Sequence, residues 1–219
     1  EILEQLDGKV DTILCPIGGG GIIAGIAVAA KGINPNIKIV GVQTANIPSM
    51  QESMKNGEVT TAFKSTTIAD GIAVKTPGDV TFEIINELVD EVVVVEEDEI
   101  AQGMLFLMEN QKVVAEGAGA VTTAALLSGK YVPKKDENVV CVISGGNVDV
   151  NTLYRVIGTA LTKEARRYSF NTVIQDKPGG LAELTKIISE YDANILSANL
   201  SRSSMGGALG SLTAEMVLE

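Results

Sequence analysis

Residues 12–25 read TILCPIGGGGIIAG, in which an apolar run typical of a strand meets an apolar, alanine-rich run typical of a helix. Four glycines stand at the junction: Gly18, Gly19, Gly20 and Gly21. Glycine has no side chain, so this loop can present only its backbone N–H groups, which lie at the positive end of the helix dipole. Such a loop predicts an anion site, and phosphate is the usual anion. The alternative is a tight strand-to-helix turn without a ligand, for which one glycine would suffice.

The residues around the glycines narrow the class of phosphate ligand. A P-loop requires Gly-Lys-Ser/Thr, which Gly21-Ile22-Ile23 does not supply. The relaxed dinucleotide fingerprint fits Gly19-x-Gly21-x-x-Ala24, but it also needs an acidic residue at the tip of the second strand. Gln43 stands at that tip. A ligand with one terminal phosphate and no ribose therefore fits better than a dinucleotide.

Composition argues against several classes of function. The chain has 219 residues, a formal net charge of −11 and no histidine. The negative charge argues against binding a nucleic-acid backbone, and the lack of histidine removes histidine-based triads and metal sites. Since no apolar run reaches the length of a membrane span and no signal-peptide pattern is present, we expect a cytoplasmic protein without membrane contact. Cys15 and Cys141 lie in apolar runs and are expected to be reduced packing residues.

The order of predicted elements divides the chain in two. Residues 1–162 begin with a βαβ unit and predict an α/β fold, an open, mainly parallel sheet flanked by helices. Residues 163–167 are charged and linker-like. Residues 168–219 predict strand, helix, strand and strand, which is an incomplete ferredoxin-like α+β domain. Because the chain opens as if inside a helix and this last domain lacks a helix and a strand, we expect a fragment.

A second glycine cluster, Ser144-Gly145-Gly146-Asn147, follows a buried strand that is predicted to end at residue 143. Ligands of open α/β sheets bind at the carboxyl ends of strands, so both glycine clusters can face one ligand. Ser144 offers a hydroxyl group, and Gly145 allows a flat ring to approach the backbone. Glu116 is a carboxylate in a Gly/Ala-rich setting, and it is either a ligand contact or a solvated loop acid.

Four motifs, taken together and in order, resemble the threonine dehydratases (threonine ammonia-lyases), which are pyridoxal-phosphate enzymes of fold-type II. The motifs are CPIGGGG at 15–21, ADG at 69–71, EGAGA at 116–120 and SGGNVD at 144–149. The tail, residues 168–219, with DKPG at 176–179, resembles an ACT domain, a small-molecule sensor found on metabolic enzymes.

The resemblance implies a cofactor, a reaction and residue roles. The implied phosphate-binding residues for pyridoxal 5'-phosphate are Gly18, Gly19, Gly20, Gly21 and Ile22. The implied ring contacts are Ser144 and Gly145, and the implied catalytic residues on the substrate side are Gly71 and Glu116. A serine at the ring nitrogen makes the ring a moderate electron sink, which suits β-elimination. The implied reaction converts L-threonine to 2-oxobutanoate and ammonia, or L-serine to its 2-oxo acid, within amino-acid metabolism such as isoleucine biosynthesis.

Two parts of the wider family's pattern are not found. The Schiff-base lysine lies in a Lys-x-Arg-Gly-Ala motif before the glycine loop, and no lysine of this chain matches it. The resemblance therefore implies an enzymatic parent protein and an inactive fragment. Racemase-like members hold a divalent cation with carboxylates just after the second strand. Gln43 and Ser49 stand in that region here, so we expect no metal.

Several interpretations stay open at this point. The chain could be a non-catalytic amino-acid sensor, a dinucleotide-dependent oxidoreductase, or another fold-type II enzyme such as a serine dehydratase, serine racemase or threonine synthase. The upstream lysine motif would separate the enzyme from the sensor. For the tail, the resemblance implies an allosteric amino-acid effector near residues 176–180 and a homodimer or homotetramer, and the sequence leaves the effector's identity open.

Overall fold

The structure, a computed structural model, describes residues 1–63, 65–202 and 210–219 and contains two units, Glu1–Ala160 and Leu161–Glu219. The strands of the first unit are β1 (Thr12–Pro16), β2 (Lys38–Thr44), β3 (Glu91–Val95) and β4 (Val139–Cys141). The helices up to the end of this unit are α1 (Ile2–Gln5), α2 (Gly21–Ile33), α3 (Ser49–Asn56), α4 (Asp79–Leu88), α5 (Glu97–Phe106), α6 (Gly117–Leu127) and α7 (Val150–Lys163). A 3-10 turn covers Asp70–Ile72, and a π-helical turn, Leu107–Gln111, follows α5.

The sheet of the first unit has the strand order β3-β2-β1-β4, and all its neighbouring strands are parallel. This arrangement confirms the predicted open parallel sheet. Leu14 of β1 pairs with Cys141, the last residue of β4, while β1 continues to Pro16. The glycine loop and the segment that begins at Ser144 therefore leave the sheet at the same edge.

Side chains of β1 alternate between two apolar cores, as the two-residue period of a strand requires. Ile13 and Cys15 belong to the core that α2 and α4 cover. Leu14 belongs to the opposite core, with Ile100 of α5 and Val121 of α6. All five residues of β1 are buried, which is typical of a parallel strand with helices on both faces.

The second unit has the predicted order of strand, helix, strand and strand. Its elements are β5 (Tyr168–Gln175), α8 (Gly180–Ser189), β6 (Ile195–Ser201) and β7 (Ser211–Leu218). The sheet order is β5-β7-β6, and β7 is antiparallel to both neighbours. Ile188 of α8 packs with Ala214 and Met216 of β7 to form a small core. Within the described ranges, every helix of the protein is too short or too polar to traverse a bilayer.

A polar cluster ties the segment before β4 to the beginning of β1. The Glu137 carboxylate accepts hydrogen bonds from Thr12 Oγ1, from the Tyr131 hydroxyl at 2.6 Å and from the Lys134 N–H at 2.6 Å. These bonds, that from Thr12 first, lower the pKa of Glu137 from 4.5 to about 2, because they stabilise the charged carboxylate. The cluster thus couples the docking of residues 131–138 to the ionisation of one side chain.

Glu137→Gln should reduce the acid sensitivity of the fold. Because the folded pKa lies below the unfolded value of 4.5, the ionised carboxylate stabilises the fold fully above that value, and the stabilisation is lost as pH falls towards about 2. Urea titrations at a series of pH values between neutral and acid give the free energy of unfolding. We expect this free energy to fall less steeply below about pH 4.5 in Glu137→Gln than in the unaltered chain.

Glu83→Gln is the matched control, since Glu83 is an exposed residue of α4 outside this cluster. It should retain the acid sensitivity of the unaltered chain. Equal slopes for both variants would show that the hydrogen bonds to Glu137 do not contribute.

Candidate functional site

A cavity of about 210 Å³ opens at the carboxyl ends of the strands, beside the glycine loop. Eight of the nine residues predicted for the site line it: Gly18, Gly19, Gly20, Gly21, Ile22, Gly71, Glu116 and Ser144. The ninth, Gly145, follows Ser144 and lies against the Glu116 side chain. The structure thus brings together residues from four separate segments, while their binding and catalytic roles stay predictions.

The conformation of the glycine loop depends on Gly20, the residue directly before α2. Gly20 has φ +94°, in the left-handed region that side chains disfavour. A Cβ atom there would lie 2.7 Å from Ile85 Cδ1 and 2.9 Å from Thr81 Cβ, both in α4. Thr81 also donates a hydrogen bond to the Gly19 carbonyl at 2.6 Å. Helix α4 therefore holds the loop in a shape that only glycine adopts at position 20.

The other glycines of the loop differ in the space around them. A Cβ atom at Gly18 would lie 3.1 Å from Ile72 Cα and 3.3 Å from Val74 Cγ2, so this glycine is needed for close packing. A Cβ atom at Gly21, the first residue of α2, would meet no atom within 4 Å. The first N–H groups of a helix have no acceptor within the helix, and here they border the cavity. The loop can therefore bind an anion through its backbone.

Two distant glycines enclose the Glu116 carboxylate. A Cβ atom at Gly71 would lie 3.3 Å from Glu116 Oε1, and one at Gly145 would overlap the same oxygen. The Glu116 N–H donates to the Gly145 carbonyl at 3.1 Å, and Glu116 directly precedes α6. The backbone of Glu116 is thus fixed by a hydrogen bond and its side chain by close packing. The carboxylate occupies a slot, which we define as the space between Gly71 and Gly145.

Ser144 follows β4 and is an exposed residue that lines the cavity. Its neighbour Gly145 packs closely on the first turn of α6, since a Cβ atom at Gly119 would overlap the Gly145 backbone. Strand β4 and helix α6 therefore fix the backbone on either side of Ser144 at the cavity.

A second, larger cavity of about 520 Å³ was not predicted from the sequence. Glu116 lines both cavities. The larger cavity also contains the acidic residues Asp70, Glu97, Asp98 and Asp149. The sequence signal was the acidic run at 96–99, but its commonest explanation is favourable placement at a helix N-terminus.

Two of these acids have structural roles. Glu97 accepts hydrogen bonds from Thr44 Oγ1 at 2.9 Å and from the Ile68 N–H at 2.7 Å. Asp149 accepts the N–H groups of Asn151 and Thr152 at the start of α7, and its pKa is lowered by hydrogen bonding, chiefly to Thr152. These acids stabilise a loop and a helix N-terminus.

The cysteines and the polar residues Gln43 and Ser49 do not add reactive groups. Burial raises the pKa of the Cys15 thiol to about 12 and that of the half-buried Cys141 thiol to about 11, and both cysteines are free. Gln43 and Ser49 are buried and hydrogen-bonded to backbone groups. In the part of the chain that the structure describes, no group of three acidic or cysteine residues is arranged to hold a metal ion.

Comparison with known proteins relates this chain to a family and to several of its members. A family model described as pyridoxal-phosphate dependent enzyme matches residues 1–145. The L-threonine ammonia-lyase of Thermotoga maritima is 48% identical over 219 residues, which are 100% of this chain and 54% of that protein. The catabolic L-threonine dehydratase TdcB of Escherichia coli K12 is 50% identical over 161 residues, 72% of this chain and 48% of that protein. The chain therefore spans about half the length of these curated relatives.

Solved structures give the same relationship. The processed form of threonine deaminase isoform 2 from Solanum lycopersicum has 34% identity and a TM-score of 0.66, covering 73% of this chain and 46% of that chain. Maize serine racemase has 36% identity and a TM-score of 0.66, covering 75% of this chain and 50% of that chain.

Gly20→Ala should destabilise the protein, whereas Gly21→Ala should not. At Gly20 the alanine must adopt a left-handed conformation, which costs about 1–2 kcal/mol, and its Cβ atom meets Ile85 and Thr81. At Gly21 the Cβ atom has open space, so the free energy of unfolding should change by no more than about 0.5 kcal/mol. Urea unfolding of both variants measures the difference. Equal effects at the two positions would contradict the described loop conformation.

Proposed function

This chain belongs to the family of pyridoxal-phosphate dependent enzymes, and we propose that the protein is an L-threonine ammonia-lyase, which forms 2-oxobutanoate and ammonia from L-threonine and also accepts L-serine. One observation carries the proposal: a single cavity unites the glycine loop with Ser144 and Glu116. The resemblance of the whole chain to a threonine ammonia-lyase supports this choice of substrate over those of other members.

The residues at the cavity fit a phosphate and a flat ring. The N–H groups at the start of α2 bind the phosphate, and the absence of side chains at Gly18 and Gly20 keeps the loop close against α4 and residues 72–74. Gly145 leaves the ring access to the backbone, and the Ser144 hydroxyl hydrogen-bonds the ring nitrogen. When bound, pyridoxal phosphate withdraws electrons from the amino acid, so that the Cα proton and the β-hydroxyl can leave.

Glu116 and Gly71 act on the substrate side in this proposal. The Glu116 carboxylate is held between Gly71 and Gly145, and Glu116 lines both cavities. A carboxylate on the substrate side can act as a general acid or base. Gly71 contributes by leaving the space that the carboxylate occupies.

The covalent attachment of the cofactor requires a lysine. Among the described residues that line the smaller cavity there is no lysine. We therefore propose that in a full-length protein a lysine outside residues 1–219 holds the cofactor, and that the 219-residue chain by itself binds phosphate without catalysing elimination.

The assignment of functions to parts of the chain is also a proposal. We assign residues 1–162 to the catalytic part, 163–167 to a linker and 168–219 to an ACT regulatory domain that binds an amino-acid effector near residues 176–180. The strand order β5-β7-β6 supports this assignment, because it is that of the first three strands of a ferredoxin-like sheet. Asp176 in this loop pairs with Arg202 at 2.7 Å and 3.0 Å. We further propose a cytoplasmic homodimer or homotetramer under allosteric control, which is compatible with isoleucine biosynthesis.

Incubation of the full-length protein with L-threonine and pyridoxal phosphate tests the proposed activity. We expect 2-oxobutanoate and ammonia in equal amounts from L-threonine, and pyruvate and ammonia in equal amounts from L-serine. The 219-residue chain under the same conditions should release neither product. Formation of D-serine without 2-oxo acids would instead identify a serine racemase, and no product from either amino acid would favour a sensor.

Ser144→Ala in the full-length protein should lower the elimination rate about tenfold, since losing one hydrogen bond of about 1.4 kcal/mol changes a rate by that factor. The free energy of unfolding should remain unchanged, because Ser144 is exposed. Steady-state kinetics and the absorption spectrum of the bound cofactor measure the effect. Ser169→Ala, at an exposed residue of β5, is the control and should behave as the unaltered enzyme. Full turnover in Ser144→Ala would refute the assigned ring contact.

A further inference from the structure

A group of neutral polar side chains lies buried behind the glycine loop, outside the residues that the proposed function uses. Gln43, Ser49 and Ser53 each have 0% of their surface exposed. Burying an amide or hydroxyl group is unfavourable unless its hydrogen bonds are made inside the protein. The partners of these side chains therefore indicate what the buried group stabilises.

Gln43 connects the residue before the glycine loop to helix α3. Its Nε2 atom donates to the Ile17 carbonyl at 3.4 Å, and its Oε1 atom accepts the Gln51 N–H at 3.0 Å. Ile17 directly precedes Gly18, whereas Gln51 lies in α3. Because one partner needs a donor and the other an acceptor, the orientation of the amide is fixed.

Ser49 bonds to a residue that packs against the same loop. Its hydroxyl donates to the Val74 carbonyl at 2.6 Å. The Val74 side chain fills the space beside Gly18, where a Cβ atom would lie 3.3 Å from Val74 Cγ2. Ser49 is the first residue of α3, so this one helix is linked to Ile17 through Gln43 and to Val74 directly.

We propose that Gln43 and Ser49 are positioning residues that fix Gly18 and thereby direct the N–H groups of the glycine loop towards a phosphate. Neither residue lines the smaller cavity, so both act through the loop. Both are also uncharged, and a carboxylate in their place would repel a bound anion. The inference rests on the proposed function insofar as phosphate is the ligand of the loop.

Two measurements on the 219-residue chain test the inference. NMR hydrogen exchange without ligand reports on the Gly18–Gly21 amides, and titration with inorganic phosphate gives the affinity. The variants are Gln43→Met, which keeps side-chain volume but removes both hydrogen bonds, and Ser49→Ala. Ser53→Ala is the matched control, because Ser53 is equally buried in α3 but bonds to Ser49 O at 2.7 Å and the Thr60 N–H at 2.8 Å.

We expect the loop amides to exchange about tenfold faster in Gln43→Met and Ser49→Ala than in Ser53→Ala, with phosphate affinity about tenfold weaker, which corresponds to 1.4 kcal/mol. Loop exchange equal in all three variants would overturn the inference, whatever the phosphate result. If the unaltered chain does not bind phosphate, the proposed phosphate site of the loop fails, and the exchange comparison still decides whether Gln43 and Ser49 position the loop. If Gln43→Met does not fold, the comparison of loop-amide exchange between Ser49→Ala and Ser53→Ala tests the inference.

Discussion

Strand β1 pairs in parallel with β2 on one side and with β4 on the other. The register of this pairing determines where the segments that follow the three strands leave the sheet. Segments that follow parallel strands lie together at one edge of the sheet. Their backbone N–H and C=O groups do not pair between strands and can therefore bind a ligand. Here that edge carries the glycine loop after β1, Gln43 at the end of β2 and Ser144 after β4. Every group assigned to cofactor binding depends on this register, because a shift of β4 would move Ser144 away from the loop.

Close backbone packing then converts this edge into a defined cavity. Gly20 fits against Ile85 and Thr81 of α4, and Gly18 fits against the segment that contains Val74. Helices α5 and α6 approach closely as well, since a Cβ atom at Gly103 would lie 2.9 Å from the Ala120 carbonyl. At these positions the glycine backbone therefore packs directly against neighbouring elements, with no side chain between them. Backbone atoms vary little in position, so an anion site built from them is pre-organised.

The sequence predicted the parts of the molecule that depend on local pattern. Apolar periodicity located the strands and helices, and the four glycines located the loop that lines the cavity. Features that depend on distant residues were not accessible in this way. The bond between Thr12 and Glu137 joins residues 125 positions apart, and the left-handed φ of Gly20 is set by contacts with α4.

Gln43 illustrates a related limit of sequence interpretation. In the sequence it counted as the missing acid of a dinucleotide site and as a position without the carboxylate of a metal site, whereas in the structure it bonds to Ile17 and Gln51. Its position at the end of an apolar strand indicates burial, but its partners follow from the tertiary arrangement. The parallel fold and the pyridoxal-phosphate family are confirmed, and the roles of the individual site residues stay predictions.

The slot around Glu116 constrains how the sequence can change at two positions. A side chain at Gly145 needs the volume that the Glu116 carboxylate fills, so this glycine cannot be replaced while a glutamate of this conformation remains. A shorter residue at position 116 removes that restriction, whereas Gly71 is also restricted by the Ala118 side chain. Descendants of this protein should therefore lose the acidic residue first and Gly145 afterwards. The order of these substitutions would follow from the available side-chain volume alone, even in a descendant that catalyses a different reaction.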